Sequence, residues 1–281
     1  MKKAIIFGAS DTGKRIYEDI KDKLNVIFFV DEDSKKWGNI ILDDKIAKEP
    51  ESILYSEYDY IYIGVLTYYR EIMDLLQTLK VDQSKIITKY VEIPTEARIE
   101  CLRSIKELLD EDDVLGQCAE LGVYQGDFAK EINRIFYDRR LYLFDTFEGF
   151  ADSDCKSEIS RGYTNLNKTG YFSNTTEGMV MEKMKYKENI RICKGFFPHS
   201  ANGIEEDWCF VNLDADLYEP TLAGLEYFYP RMLPGGIILV HDYFSKAFHG
   251  AREAVKCYCR ENKISYIPIG DTLSVAIRKN A

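Results

Sequence analysis

The chain has 281 residues, 46% hydrophobic and 30% charged, with a formal net charge of −10. That composition supports a sizeable core, and the length suits two domains better than one. So acidic a balance argues against sequence-independent nucleic-acid binding, which needs Lys and Arg to neutralise phosphates, and against an anionic membrane surface.

The first ninety residues read as alternating strands and helices. KKAIIFGA is a short apolar run ending near Gly8, too short for a signal-peptide core. Asp11 to Asp22 has helical spacing, with Ile16 and Ile20 four apart. NVIFFVDED is a second strand ending in Asp31, Glu32 and Asp33, and YDYIYIGV is a third. Tyr69 to Leu79 is an amphipathic helix, and SKIIT is a last short strand. This alternation implies a parallel sheet with helices outside. The turn GASDTG carries Gly8 and Gly13, and Asp31 follows Gly8 by 23 residues. A dinucleotide-type site would have that spacing, but the full glycine pattern is missing. Two readings stand: a nucleotide or nucleotide-sugar site, or a docking or dimerisation domain whose site has decayed. The second is preferred, and it is compatible with a homo-oligomer.

Pro94 opens a second regime, so the domain join is expected near residues 89–95, with domains at 1–92 and 93–281. Glu96 to Asp110 is a helix with Ile99, Leu102, Ile105, Leu108 and Leu109 on its apolar face, ending at the acidic cluster Asp110 to Asp113. Longer βα units follow: strands CAELGV, LYLFDTF, IRICKG, WCFVNLDAD and GGIILVHDY, with helices over Asp127–Phe136, from Met179, over Thr221–Tyr229 and over Ala251–Glu261. ISYIPI and LSVAIRK are closing strands. The polar stretch 151–177 breaks this rhythm and reads as an irregular lid or binding loop. No stretch reaches the length of a membrane span, and a cytoplasmic protein is expected. The seven cysteines lack C-x-x-C or zinc spacing and read as reduced, mostly buried thiols.

The chemistry gathers at strand C-terminal ends, where open α/β sheets bind ligands. In AELGVYQGD, Gly122 and Gly126 would make a tight turn and let backbone approach a ligand. Asp145, 23 residues after Gly122, ends the next strand, where a carboxylate accepts from a ribose diol. Capping a helix is the equally weighted alternative for it. The glycines fall outside the G-x-G-x-x-G pattern of NAD sites, so a nucleoside without phosphates fits better. Asp214 and Asp216 end one buried strand, and His241 and Asp242 end the next, 27 and 28 residues after Asp214. Carboxylates this close repel unless a cation or proton lies between them.

Taken in order, ELGVYQG, DTFEGF, DADLYEPT, LPGGIILVHDY and HGAREAV resemble the macrocin O-methyltransferase family. The resemblance implies a class I methyltransferase fold, an α/β architecture with a mostly parallel seven-stranded sheet and helices on both faces. It implies methylation of a sugar, glycoside or nucleotide-sugar hydroxyl, using S-adenosylmethionine and Mg²⁺ or another divalent cation. By position, Glu120, Gly122, Tyr124, Gly126, Asp145, Thr146, Phe147, Gly195, Phe196 and Asp214 would contact the cofactor. Asp214, His241 and Asp242 would hold the metal, and Asp214, Asp216 and His241 are the catalytic candidates. The family has two consecutive acids where this chain has His241 and Asp242. His241 is therefore open between ligand, base and neither, and the site between Mg²⁺, Mn²⁺, Fe²⁺ and no metal at all. A catalytically inactive scaffold of the same fold, working in glycan biosynthesis, is the rival reading.

Overall fold

The computed structural model describes residues 1–66, 69–245 and 249–280. It divides into two compact units, Met1–Ala97 and Arg98–Ala281.

The first unit holds β1 (Lys3–Phe7), α1 (Asp11–Ile20), β2 (Asn25–Val30), β3 (Ile40–Leu42), β4 (Lys45–Lys48), β5 (Tyr60–Ile63), α2 (Tyr69–Thr78) and β6 (Ile86–Ile87). Its sheet runs β3-β4-β2-β1-β5-β6, parallel except for the β3–β4 pair. Those two short strands were not expected. Each is three or four residues long, and their residues are mostly half-buried, so no period stood out. Alternate residues of β1 serve opposite faces: Ile5 and Phe7 pack with Ile72 and Leu76 of α2, while Ala4 and Ile6 pack with Ile16 and Ile20 of α1.

The helix expected over Glu96–Asp110 starts earlier. A single helix, α3 (Lys89–Glu111), runs through Pro94 without interruption. Proline removes one amide donor from a helix. Next to it the Thr95 hydroxyl donates to the Val91 carbonyl.

The second unit contains β7 (Gln117–Leu121), α4 (Asp127–Ile135), β8 (Leu141–Asp145), α5 (Asp152–Ser160), α6 (Glu177–Lys183), β9 (Ile190–Lys194), β10 (Trp208–Leu213), α7 (Tyr218–Arg231), β11 (Met232–Val240), α8 (His249–Asn262), β12 (Ile267–Pro268) and β13 (Val275–Arg278). The sheet order is β12-β13-β11-β10-β7-β8-β9. It is parallel except for β13, which pairs antiparallel with β11 and β12. Every residue of β10 is buried. One face (Ala119, Leu121, Phe144, Val211, Leu213) packs on Leu225 and Phe228 of α7 and Val255 and Cys259 of α8. The other (Cys118, Leu141, Leu143, Leu239) packs on Leu102, Ile105 and Leu109 of α3 and Ile132 of α4. Each such large apolar side chain contributes roughly 1.5–3 kcal/mol on burial. All seven cysteines are free and five are buried, as the spacing implied.

The stretch 151–177 is less irregular than its composition suggested, because it contains α5. The buried face of that helix is Asp154, Cys155 and Glu158. Polar residues fill it through hydrogen bonds, so no apolar stripe marks it. Among the described residues no helix is long and apolar enough to cross a membrane.

Candidate active site

The sheet changes direction between β7 and β10, the place where open α/β sheets present a crevice at their strand ends. Immediately after β7, Gly122 has φ 83°, and an added Cβ would collide with the Asp214 carbonyl. The turns after β7 and β10 therefore run wall to wall, and only glycine fits. Four non-glycine residues just past strand ends also adopt positive φ: Tyr124 (49°), Phe147 (56°), Asp216 (59°) and Asp242 (56°). Left-handed backbone costs energy for such residues and concentrates at functional sites.

Asp145 closes the first turn. Its carboxylate accepts from the amides of Val123 (2.7 Å), Tyr124 (2.9 Å) and Phe147 (2.7 Å). These amides belong to the glycine turn and to its own loop, so it caps no helix. The amide of Gly195, after β9, donates to the Asp145 carbonyl at 3.0 Å and brings a third strand end to the same place. Glu120 lies deeper. One of its carboxylate oxygens accepts from Asn212 at 2.8 Å, while the other is buried without a partner among the described residues. Burial, then the Asp214 charge, pushes its carboxyl well above the usual range.

The second cluster joins the ends of β10 and β11. The His241 Nδ1 lies 3.0 Å from an Asp214 oxygen and 2.8 Å from an Asp242 oxygen. Arg98 of α3 donates to the other Asp214 oxygen (3.0 Å) and to Asn212 (3.0 Å), with its guanidinium 3.8 Å over the Phe128 ring. Burial alone would raise Asp214, but His241 and Arg98 outweigh it and hold the carboxyl well below the usual range. Burial and Arg98 push His241 down, yet Asp214 and Asp242 overcome both and lift it to about 10. Asp216 goes the other way: burial, then the charges of Asp242 and Asp214, raise it far above an ordinary aspartate. Two aspartates two residues apart thus favour opposite protonation states, the pattern that separates acid and base roles.

The structure brings Asp214, Asp216, His241 and Asp242 to one place, and Glu120, Gly122, Tyr124, Asp145, Phe147 and Gly195 around the neighbouring turn. Gly126 sits at the start of α4 with φ 80°. Thr146 is engaged by its own loop, accepting from the Glu148 amide and donating to the Gly149 carbonyl. Phe196 is 43% exposed. His199 and His249 are exposed, and Arg252 lies over the Tyr243 ring. Sequence reasoning missed Arg98 and Asn212. Arg98 sits on a helix read only for its apolar face, and Asn212 inside a strand read only as buried. It also missed the seating of the lid, in which Glu158 accepts from the Tyr218 amide (2.6 Å) and Arg161 pairs with Glu219 (2.9 Å).

A seven-stranded sheet with one antiparallel strand next to its edge, a glycine turn after the first strand and an acid ending the second define the class I methyltransferase fold. Two solved structures share it. The O-methyltransferase NovP is 24% identical, with a TM-score of 0.53 over 66% of this chain and 80% of its own. The calicheamicin methyltransferase is 18% identical, with a TM-score of 0.54 over 76% and 87%. The chain belongs to the macrocin O-methyltransferase (TylF) family, which matches residues 90–279. Residues 1–87 match a separate family described as C2185-like, N-terminal. Among curated relatives, the 8-demethyl-8-(2,3-dimethoxy-alpha-L-rhamnosyl)-tetracenomycin-C 4'-O-methyltransferase of Streptomyces olivaceus is 29% identical over 57% of this chain. The mycinamicin III 3''-O-methyltransferase of Micromonospora griseorubida is 27% identical over 60%, and 70% of its own length is matched. The match spans 64% of the Streptomyces protein.

Proposed function

We propose that this protein is an S-adenosylmethionine-dependent O-methyltransferase acting on a hydroxyl of a sugar, glycoside or nucleotide-sugar. The observation that carries the reading is the pairing of two sites across one wall. A turn closed by Asp145 with a buried, unpartnered Glu120 oxygen stands beside a carboxylate–imidazole cluster. An unpaired buried carboxylate suits a ligand that brings a cation or a hydrogen-bond donor. The tetracenomycin and mycinamicin relatives, named for sugar-bearing substrates, support the acceptor class.

Glu120, Gly122, Tyr124, Asp145, Phe147 and Gly195 would hold the cofactor, which supplies an activated methyl group. Asp214, His241 and Asp242 fit a divalent cation, each offering an atom within 4.8 Å of the others. Such a cation would acidify acceptor hydroxyls, and the imidazole suits Mn²⁺ or Fe²⁺ better than Mg²⁺. Asp216, which burial and the Asp242 and Asp214 charges hold protonated, would act as general base for the acceptor hydroxyl only after passing its own proton on. His241, kept protonated by Asp214 and Asp242, would orient those two carboxylates; to ligate a metal it must first release its proton. Arg98 and Asn212 hold Asp214 and Glu120 in place, and the lid around α5 excludes water.

Two measurements test this. Calorimetry with S-adenosylhomocysteine should show saturable binding; a flat titration ends the methyltransferase reading. Methyl transfer to a panel of glycosides and nucleotide-sugars, with and without a chelator, should show turnover that chelation abolishes.

A further inference from the structure

Helix α7 starts without a cap of its own. The first amides of a helix have no partner within it, and Ser, Thr, Asp or Asn at the N-cap usually accepts from one of them. Here the N-cap is Leu217, a buried residue whose side chain has no acceptor. The acceptor comes from the lid instead. Glu158 of α5, 60 residues earlier in the chain, takes the Tyr218 amide on its Oε1 at 2.6 Å. Glu158 is 2% exposed, and α8 makes room for it: a Cβ added at Gly250 would strike that same oxygen and lie 2.5 Å from the Tyr218 nitrogen. Neighbouring contacts grip the same turn of α7. Ser157 donates to Glu219 at 2.7 Å, Arg161 lies 4.1 Å over the Tyr218 ring, and Tyr163 packs on that ring with centroids 5.6 Å apart.

The capped amide stands just past the acid turn. In that turn Asp216 has φ 59°, and the Leu217 amide donates back to the Ala215 carbonyl at 2.6 Å. Gly122 backs the start of the turn at the Asp214 carbonyl, and Glu158 holds its end. Left-handed backbone at a non-glycine residue persists only where the surroundings fix it. We infer that Glu158 is a positioning residue: the lid helix supplies the N-cap of α7, so the turn carrying Asp214 and Asp216 keeps its form while the lid is seated and loosens when it lifts. Seating the lid and assembling the acid cluster are then one event, which confines the chemistry to the closed state. The consequence for turnover rests on the function proposed above; the cap does not.

The test is hydrogen exchange on the full chain. Glu158→Leu fills a similar space without an acceptor, whereas Glu158→Gln keeps an oxygen for the Tyr218 amide. In Glu158→Leu, residues 214–221 should exchange about tenfold faster while 222–231 match the wild type, and Glu158→Gln should restore the wild-type pattern. Unchanged exchange at 214–221, an equal rise throughout the second unit, or a glutamine variant as loose as the leucine one would overturn the inference. Should Glu158→Leu fold poorly, Arg161→Met decides: it should speed exchange of 152–160 and 214–221 together, and a faster lid over an unchanged turn would overturn the inference. With a glycoside that the wild type methylates, Glu158→Leu should lose about 10- to 100-fold in kcat, with S-adenosylhomocysteine affinity within about threefold. A loss found only in the acceptor KM would reduce Glu158 to a latch and end the positioning role. S-adenosylhomocysteine titration separates the two readings: the expected exchange pattern with flat titrations leaves the cap standing while the methyltransferase reading falls.

Discussion

The two units share one device and use it differently. In each, a glycine turn follows the first strand and an aspartate stands 23 residues after the first glycine, Gly8 with Asp31 and Gly122 with Asp145. Both aspartates accept from turn amides: Ala9 donates to Asp31 at 2.9 Å, as Val123 and Tyr124 donate to Asp145. In the first unit the chain then fills the place itself. Lys36 pairs with Asp31 at 2.8 Å, Asp33 donates an amide to it, and Trp37 donates its indole to the Asp31 carbonyl. In the second unit Asp145 meets only backbone amides among its described hydrogen bonds, and a buried carboxylate oxygen nearby has no partner. The five buried polar atoms left unpaired among the described residues (on Arg98, Glu120, Ser200, Trp208 and Thr221) all belong to the second unit. One turn has been closed by its own side chains and the other kept open.

The largest effect should come from the open unit. Asp214→Ala removes the anchor of both His241 and Arg98, and turnover should fall by about 10²–10⁴ with the cofactor still bound. A variant retaining most of its turnover would sink the proposed role of the cluster. Next, Asp145→Ala should weaken S-adenosylhomocysteine binding by about 10- to 100-fold, the worth of charge-assisted hydrogen bonds, while Asp31→Ala leaves it unchanged. Equal losses in the two variants would mean that the units are not specialised as proposed.

A third prediction concerns pH. The folded chain keeps a proton on His241 up to about 10, whereas the unfolded chain loses it above the ordinary value of 6.5. That stabilisation is complete below 6.5 and fades as pH rises through the folded value. Urea midpoints should therefore fall between about pH 7 and 10, by at most about 1.4 kcal/mol per unit in free energy, and His241→Gln should flatten the slope. An unchanged slope in the variant would place the titrating group elsewhere. The smallest effect belongs to the closed unit. Lys36→Met should lower stability by less than about 1 kcal/mol, since the lysine end of the pair is 38% exposed. A larger loss would show the Asp31 pair to be a structural keystone.

Much of this was readable from residue order. The strands ending in Asp145, Leu213 and Val240 are long apolar runs stopped by acids or histidine, so both the sheet and its chemical edge were visible. What escaped was carried by polar burial. Helix α5 is seated by Asp154 and Glu158, which mimic a solvent face in any hydrophobic pattern. Arg98 reaches Asn212 and Asp214 across 114 and 116 residues of chain, and no local spacing reports such a contact. The continuity of α3 was hidden by Pro94, which normally argues for a helix start.

The collision that a side chain at Gly122 would have with the Asp214 carbonyl also bears on how such enzymes diversify. The turn read here as the cofactor's and the turn carrying the acid cluster share a party wall with no slack. On the proposed function, a lineage could exchange the lid over residues 151–177 to suit a new acceptor. It cannot remodel either turn alone, and a graft of one between relatives should travel with the other.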